Sequence, residues 1–306
     1  MYRRFFGLRE NPFNVNPDPR YLFVTPHTEE ALSCLTYGVQ NRKGFILLTG
    51  EVGTGKTTLI NKLLEWLQRS NVATAFIFNP RLNEEQFFEL MLNDFGVACD
   101  TRSKSQVIIR LNHWLLERYR AGETAVLIID EAQNLSPAVL EEIRLLTNLE
   151  TYTEKLLQIV LSGQPELEAK LKEPALRQLR QRITLRSKTV PLTASETAGY
   201  ISSRLRIAGA SDEPIFSPEA VEAVHRYALG IPRMVNVLCE HALIGAFAEQ
   251  LRPVSAEIVA AVARDFDLTG TEAAPQGAVG TIGAAPDFED ALSGLTALMD
   301  RLRRAE

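Results

Sequence analysis

The sequence predicts an α/β fold, in which a parallel five-stranded sheet is sandwiched by helices and followed by a small all-helical domain. From about residue 44 to residue 191, apolar strand-like runs alternate with helical patterns, which is typical of a parallel sheet covered on both faces. After Pro191 the strand signals stop and only helical patterns follow. A glycine-rich loop after the first strand-like run, directly before a helical pattern, favours the same fold class.

Short apolar runs are the predicted strands of the sheet, and amphipathic segments between them are the predicted helices. Asn83 and Ser136 stand at positions typical of helix N-caps, and Ser136 is followed by Pro137, which suits the first helical position. The predicted strands are 45–49, 73–78, 125–129, 156–161 and 184–190.

The chain is expected to divide into a core, a lid and flanking segments. The region rich in Ala, Gly, Pro and Thr after the lid is predicted to be a flexible linker. The predicted regions are an N-terminal segment, 1–43; the α/β core, 44–191; the helical lid domain, 192–267; the linker, 268–286; and an amphipathic C-terminal helix, 287–306.

The C-terminal region carries an apolar heptad pattern formed by Phe288, Leu292, Leu295, Met299 and Leu302. Two heptads are too short to form a stable helix alone. The segment is therefore expected either to dock on the core of its own chain or to bind a partner or a second copy. The flexible linker would let it reach outward.

Composition and charge are those of an ordinary globular protein of 306 residues with a formal net charge of −5. This charge gives no general attraction to nucleic acid, so any such binding needs a local basic patch. The cysteines, Cys34, Cys99 and Cys239, have no metal-ligand spacing and indicate a reducing compartment. Because no apolar run approaches the ~18 residues of a membrane span, the protein is expected in the cytoplasm. It would reach the inner membrane only peripherally, through partners.

The loop between the first strand and its helix fits the pattern G-x-x-x-x-G-K-[ST] in full. Glycines let backbone N–H groups turn inward around an anion. Lys56 would bring a positive charge to the β- and γ-phosphates, and the Thr57 hydroxyl would bind Mg²⁺. The sequence therefore predicts ATP and Mg²⁺ as ligands. The predicted nucleotide-binding residues are Gly50, Glu51, Val52, Gly53, Thr54, Gly55, Lys56, Thr57 and Thr58.

The strand 125–129 ends in two adjacent carboxylates, Asp130 and Glu131. Alternation along a strand sends neighbouring side chains in different directions. One carboxylate can therefore serve Mg²⁺ while the other orients a water for attack on the γ-phosphate. Asp130 is the predicted metal residue, and Glu131 is the predicted general base. The alternative is a solvated acidic strand end.

A catalytic glutamate beside a metal-binding aspartate, with a helical lid after the sheet, resembles the AAA+ class of ring-forming ATPases. This resemblance implies a polar sensor of the γ-phosphate at the end of strand 156–161. Gln164 is preferred over Ser162 for that role, because an amide can donate and accept at once. A plain turn at this position is the alternative.

The same resemblance implies an arginine that reaches the nucleotide of a neighbouring subunit. Arg182 best matches the usual position, followed by Arg180 and then Arg177, and a solvated basic helix face is the alternative. In the lid, Arg233 follows a Gly-Ile-Pro turn at a helix start, where a positive charge is locally unfavourable. A phosphate would offset that cost, and the pattern resembles the second sensor arginine of AAA+ proteins.

Additional motifs narrow the resemblance: Asn11-Pro12-Phe13, Pro17-Asp18-Pro19, Asp130-Glu131-Ala132-Gln133 and Gly163-Gln164-Pro165-Glu166-Leu167. With the phosphate loop, they resemble the ExeA/GspA-type secretion ATPases over about residues 1–266. The chain would be a short form, without a membrane span or a peptidoglycan-binding domain. The resemblance implies that the N-terminal segment packs near the nucleotide, with Phe13, Tyr21 and Phe23 as candidates to contact adenine. Core packing is the alternative for these rings.

Mg²⁺-dependent ATP hydrolysis by an oligomeric motor or switch, in a ring or a filament, is the expected activity. It would serve protein partners in a secretion or envelope/exopolysaccharide export system. The alternative is a DNA-binding ATPase similar to the transposition regulators of the TnsC/MuB type, which would need a basic surface. Residues that supply some of this charge, and that equally fit a subunit interface, are Lys170, Lys172, Arg177, Arg180, Arg186 and Lys188.

Overall fold

The computed structural model describes residues 1–78, 81–98 and 103–268, and it divides into two compact units. Residues 17–190 form an α/β unit. Residues 1–16, with the described residues from 191 onward, form a helical unit. The segment predicted as 1–43 is thus split between the two units. The predicted linker, 268–286, and the predicted C-terminal helix, 287–306, lie outside the described residues except for Leu268.

The α/β unit contains one parallel sheet of five strands, which confirms the predicted fold class. The strands are β1 (Phe45–Gly50), β2 (Val72–Ile77), β3 (Thr124–Ile129), β4 (Leu157–Gly163) and β5 (Leu185–Thr189). They lie in the order β2-β3-β4-β1-β5, so β4 is inserted between β1 and β3 although it follows both along the chain. In register, Phe45 of β1 is opposite Ile159 of β4, and Ala125 of β3 is opposite Leu157.

Helices account for most of the remaining described chain. Asn83 and Ser136 cap helices as predicted, since their side chains accept hydrogen bonds from the backbone N–H groups of Gln86 and Val139. No helix within the described ranges is both long and apolar enough to cross a membrane. The helices are α1 (Tyr2–Phe5), α2 (Pro26–Gln40), α3 (Lys56–Arg69), α4 (Glu84–Asp94), α5 (Lys104–Arg120), α6 (Pro137–Leu146), α7 (Pro165–Leu171), α8 (Arg177–Arg182), α9 (Ala194–Ile207), α10 (Pro218–Ala228), α11 (Pro232–Ala248) and α12 (Ala256–Asp265).

The core of the α/β unit is two apolar layers, one on each face of the sheet. Successive residues of a strand point to opposite faces. Phe45 and Leu47 of β1 therefore pack with α4 to α8, whereas Ile46 and Leu48 pack with α2 and α3. Because both faces are buried, β1 consists almost entirely of apolar residues, as expected of a central parallel strand.

The N-terminal residues are part of the core of the helical unit. Phe13 is only 1% exposed and packs edge-on against Phe216 at a centroid distance of 6.0 Å. Arg204 of α9 is buried, and its guanidinium donates to the carbonyl oxygens of Pro12 and Asn14 at 2.5 and 3.0 Å. Core packing is therefore the role that the structure shows for Phe13, the first of the rings considered for adenine.

Candidate nucleotide-binding and catalytic site

Polar and charged groups of the α/β unit gather at the carboxyl ends of β1, β3 and β4. Because β4 lies between β1 and β3, the phosphate loop after β1, the carboxylates after β3 and the polar turn after β4 meet at one edge of the sheet. Ligands of open α/β sheets bind at this edge. The strand order thus brings together residues that are separated by more than 100 positions in the sequence.

The phosphate loop has the backbone that its glycines predict. Gly53 and Gly55 have φ angles of 78° and 96°, in the left-handed region that glycine adopts at no steric cost. Gly55 stands directly before the first residue of α3, so the free N–H groups of that helix start point toward the space that the loop surrounds. Gly50 lies against β5, where a Cβ atom would collide with the hydroxyl of Thr189.

Thr54 fastens the phosphate loop to strand β5. Its hydroxyl shares a buried hydrogen bond of 2.6 Å with the hydroxyl of Thr189 and also donates to the carbonyl oxygen of Glu51 at 2.7 Å. The loop is therefore fixed at its middle as well as at its two ends, which limits the entropy lost when it binds an anion.

Lys56 is buried at the centre of the loop, with 5% of its surface exposed. Its ammonium donates to the carbonyl oxygens of Gly50 and Glu51 at 2.8 and 2.9 Å. Burial lowers the pKa of Lys56 below its ordinary value, while the nearby carboxylates of Glu131 and Asp130 act in the opposite direction. A desolvated cation of this kind interacts strongly with a phosphate that enters the loop.

Thr57 and Asp130 form the candidate metal site. The Thr57 hydroxyl donates to Asp130 Oδ2 at 2.9 Å, so a hydroxyl oxygen and a carboxylate oxygen lie side by side. Oxygen donors of these two kinds fit Mg²⁺, which is commonly held by one or two protein ligands, by substrate phosphates and by water. The buried Ser162 hydroxyl donates to Asp130 Oδ1 at 2.7 Å and thereby orients the carboxylate. Ser162 thus lies against the carboxylate of the candidate metal site.

Glu131 is held by two side-chain amides. Its Oε2 atom accepts a hydrogen bond from Gln164 Nε2 at 3.0 Å and another from Gln133 Nε2 at 2.5 Å. The backbone of Glu131 has a φ of 53°, which is uncommon for a residue with a side chain and turns the chain sharply after β3. The structure therefore brings Glu131 and Gln164 together, and their roles as base and sensor stay predictions.

The predicted trans-acting arginines lie on α8 and are exposed. Arg182 donates to Asn148 Oδ1 at 3.2 Å, within its own chain. Arg177 and Arg180 form no ion pair or side-chain hydrogen bond with the described residues. Arg233 belongs to the helical unit, where it is exposed at the second residue of α11. The roles of these arginines stay predictions.

Two residues of the site were not predicted from the sequence. Gln133 contacts both Glu131 and Gln164, and the Lys170 ammonium donates to the carbonyl oxygens of Gln133 and Leu135 at 2.7 and 2.8 Å. The sequence places Lys170 in a candidate basic surface, whereas in the structure its ammonium has partners within the chain. Gln133 had a visible signal, because it stands two residues after the predicted base.

The fold and the site together define a protein of the AAA+ P-loop class. Residues 39–171 match the family AAA_22, described as "AAA domain". The resemblance to ExeA/GspA-type secretion ATPases is confirmed by General secretion pathway protein A of Aeromonas hydrophila, which is 47% identical over 249 residues. This match covers 81% of the chain but only 45% of that protein, so the chain spans less than half the length of its relative.

Solved structures with the same fold include an ORC2 protein and a Cdc6p protein. The ORC2 protein of Aeropyrum pernix, solved as ADPNP–ADP complexes, has a TM-score of 0.62 at 18% identity and covers 83% of this chain and 71% of that one. Cdc6p of Pyrobaculum aerophilum has a TM-score of 0.64 at 17% identity and covers 84% of this chain and 70% of that one. At these identities the likeness concerns the fold alone.

Proposed function

We propose that this protein is a Mg²⁺-dependent ATPase that works as an oligomeric motor or switch in a secretion or envelope export system. One observation supports hydrolysis most directly. The phosphate loop, Asp130 and Glu131 lie together at one edge of the sheet, and side-chain amides hold the Glu131 carboxylate. A protein that only bound nucleotide would need the loop but not a positioned carboxylate beside the sensor amide.

In this proposal, N–H groups of the loop and the Lys56 ammonium bind the phosphates of ATP. Thr57 and Asp130 would hold Mg²⁺, which neutralises charge on the β- and γ-phosphate oxygens. Glu131 orients a water and accepts its proton as the water oxygen bonds to the γ-phosphorus. The bond between that phosphorus and the bridging oxygen breaks, and ADP leaves with both electrons of that bond.

The proposed assembly and cellular role are supported by the α8 arginines and by the relative's name. Exposed cations suit the nucleotide of a neighbouring subunit, where an arginine stabilises charge in the transition state, and among the described residues Arg177 and Arg180 form no ion pair or side-chain hydrogen bond. General secretion pathway protein A is named for secretion, and 47% identity over the ATPase region supports a similar process here. We place the protein in the cytoplasm, where partners would bring it to the inner membrane.

Replacing Glu131 with Gln tests the hydrolytic role. The Glu131→Gln variant should bind ATP with a dissociation constant within about threefold of the wild type, while its turnover falls at least about 100-fold. Binding is measured with a fluorescent ATP analogue, and turnover by phosphate release. Glu89→Gln, an exposed carboxylate on α4, is the matched control and should hydrolyse normally. Unchanged turnover in Glu131→Gln would remove this residue from the mechanism.

The same assay distinguishes the export hypothesis from the alternative of a DNA-binding ATPase. Turnover and assembly that are indifferent to duplex DNA support the export role. Stimulation of several-fold by duplex DNA, with assembly on the DNA and a steep salt dependence, would replace the export role with the transposition-regulator reading.

A further inference from the structure

Gln133 lies between the predicted base and the predicted sensor, and it contacts both. Its Nε2 group donates to Glu131 Oε2 at 2.5 Å, and its Oε1 atom accepts from the backbone N–H of Gln164 at 3.1 Å. One side chain therefore joins the turn after β3 to the turn after β4. Any role of this contact in hydrolysis rests on the proposed ATPase function.

The two amides converge on one oxygen of the catalytic carboxylate. Gln164 Nε2 donates to the same Oε2 atom at 3.0 Å, so that oxygen is fully used within the protein. Among the described residues none donates a hydrogen bond to the other oxygen, Oε1 of Glu131. The arrangement distinguishes the two oxygens: one anchors the side chain, and the other is available to accept a proton.

The surroundings of Gln133 fit this side chain closely. Gly163 comes so near that a Cβ atom there would lie 2.8 Å from Gln133 Oε1, tighter than ordinary van der Waals contact. Below the turn, Lys170 of α7 donates to the carbonyl oxygens of Gln133 and Leu135. The backbone at Gln133 is thus fixed to α7. The strained backbone of Glu131 is held in place by the contacts of its own carboxylate and by the contacts of the turn that follows it.

We propose that Gln133 is a positioning residue for hydrolysis, and that it fixes the Glu131 carboxylate and the Gln164 sensor as one unit. Its amide pins Oε2 of Glu131, so Oε1 keeps the orientation from which it accepts the proton of the attacking water. A displacement of about 1 Å at such a group can cost about 100-fold in rate. Both ends of the amide are required, because the nitrogen holds the base and the oxygen holds the sensor.

The decisive variant is Gln133→Glu, assayed at a pH where it is ionised, because the carboxylate keeps the size of the side chain and its acceptor oxygen but cannot donate to Glu131 and repels it. We expect turnover to fall about 10- to 100-fold. The dissociation constant for a fluorescent ATP analogue should stay within about threefold of the wild type. Gln133→Leu, which removes both contacts, should lose at least as much. Gln106→Leu, on the exposed surface of α5, is the matched control and should keep wild-type turnover.

A double-mutant cycle checks that the two amides act as a unit. Because both donate to one oxygen, Gln133→Leu combined with Gln164→Leu should lose less turnover than the product of the two single losses. Independent effects that multiply would overturn the proposed unit. Lys170→Met, which loosens the turn without touching the carboxylate, should lower turnover in the same direction by a smaller factor.

The outcomes separate this inference from the proposed function. If the wild-type protein hydrolyses ATP and a folded Gln133→Glu variant has the same turnover, the role of Gln133 is overturned. The ATPase role is then unaffected. A loss of nucleotide binding that matches the loss of turnover would also overturn the role of Gln133, because the residue would then act on the loop and not on the base. Absence of hydrolysis in the wild-type protein would overturn the ATPase role itself.

Discussion

The cation of the phosphate loop and the cations of α8 differ in their burial and in their hydrogen-bond partners. Lys56 is buried, and its ammonium is bound by two carbonyl oxygens of its own loop. Arg177 and Arg180 are exposed on α8, and among the described residues they have no ion pair or side-chain hydrogen bond. A cation that is fixed inside its unit can act on a ligand of that unit. An exposed arginine is better suited to a ligand that a second molecule brings.

The largest expected effect is the loss of the buried cation. Lys56→Ala should raise the dissociation constant for ATP at least about 100-fold and abolish measurable turnover, because it removes a charge-assisted contact with the phosphates. Binding of a fluorescent ATP analogue measures this effect. The control is Lys62→Ala, on the same helix and paired with Glu65, which should bind normally. Near-normal binding in Lys56→Ala would contradict the role of the loop.

A second test asks whether an exposed arginine acts on a neighbouring molecule. Arg180→Ala and Arg182→Ala, made singly, should leave ATP binding unchanged, and one of them should lower turnover about 1,000-fold. Phosphate release at a protein concentration that supports assembly is the measurement. Gln178→Ala, on the same exposed helix, is the control and should keep its turnover.

Mixing inactive variants sharpens this test. A subunit with Glu131→Gln supplies an intact arginine, and a subunit with the inactive arginine variant supplies an intact base. If the arginine acts in trans, the mixture should regain turnover that neither variant has alone. A mixture that stays inactive, in assemblies shown to contain both variants, would place the arginine in its own subunit's site.

A substitution in the helical unit should have the smallest effect on turnover and the clearest effect on the free energy of unfolding. Arg204→Met should lower the free energy of unfolding by about 3 kcal/mol, because the buried carbonyl groups of Pro12 and Asn14 lose their donor. Urea unfolding followed by circular dichroism measures it. Arg206→Met, two residues along the same helix but exposed, should change stability by less than about 0.5 kcal/mol. Equal stabilities of the two variants would show that the Arg204 contacts are not stabilising.

The parts of the structure that were predictable from the sequence depend on short-range patterns. The five strands were predicted within two residues at each end, because apolar runs and capping residues are local signals. The phosphate loop was predictable for the same reason, since its glycines and Lys56 stand in one motif. The division of the N-terminal segment was not predictable, because it depends on Arg204, which lies 192 positions from Pro12.

The site shows the same limit. Asp130 and Glu131 were visible at the end of an apolar strand, but most partners of the two carboxylates come from other elements of the fold. Ser162 contacts Asp130, and Gln164 contacts Glu131, only because β4 inserts between β1 and β3. Lys170 gave no local sign of its contact with Gln133, 37 residues away. The types of residue in the site were thus predictable from the sequence. Which of them contact one another depends on the strand order, which the sequence does not show locally.

The hydrogen bond between Thr54 and Thr189 has a mechanical consequence. Thr189 is the last residue of β5, and the chain passes into the helical unit two residues later. The chain therefore leaves the α/β unit through the strand that supports the middle of the phosphate loop. A pull or a twist applied to residues 190 and 191 therefore reaches the middle of the loop through the Thr54–Thr189 hydrogen bond and its start through Gly50, which pairs with Thr189.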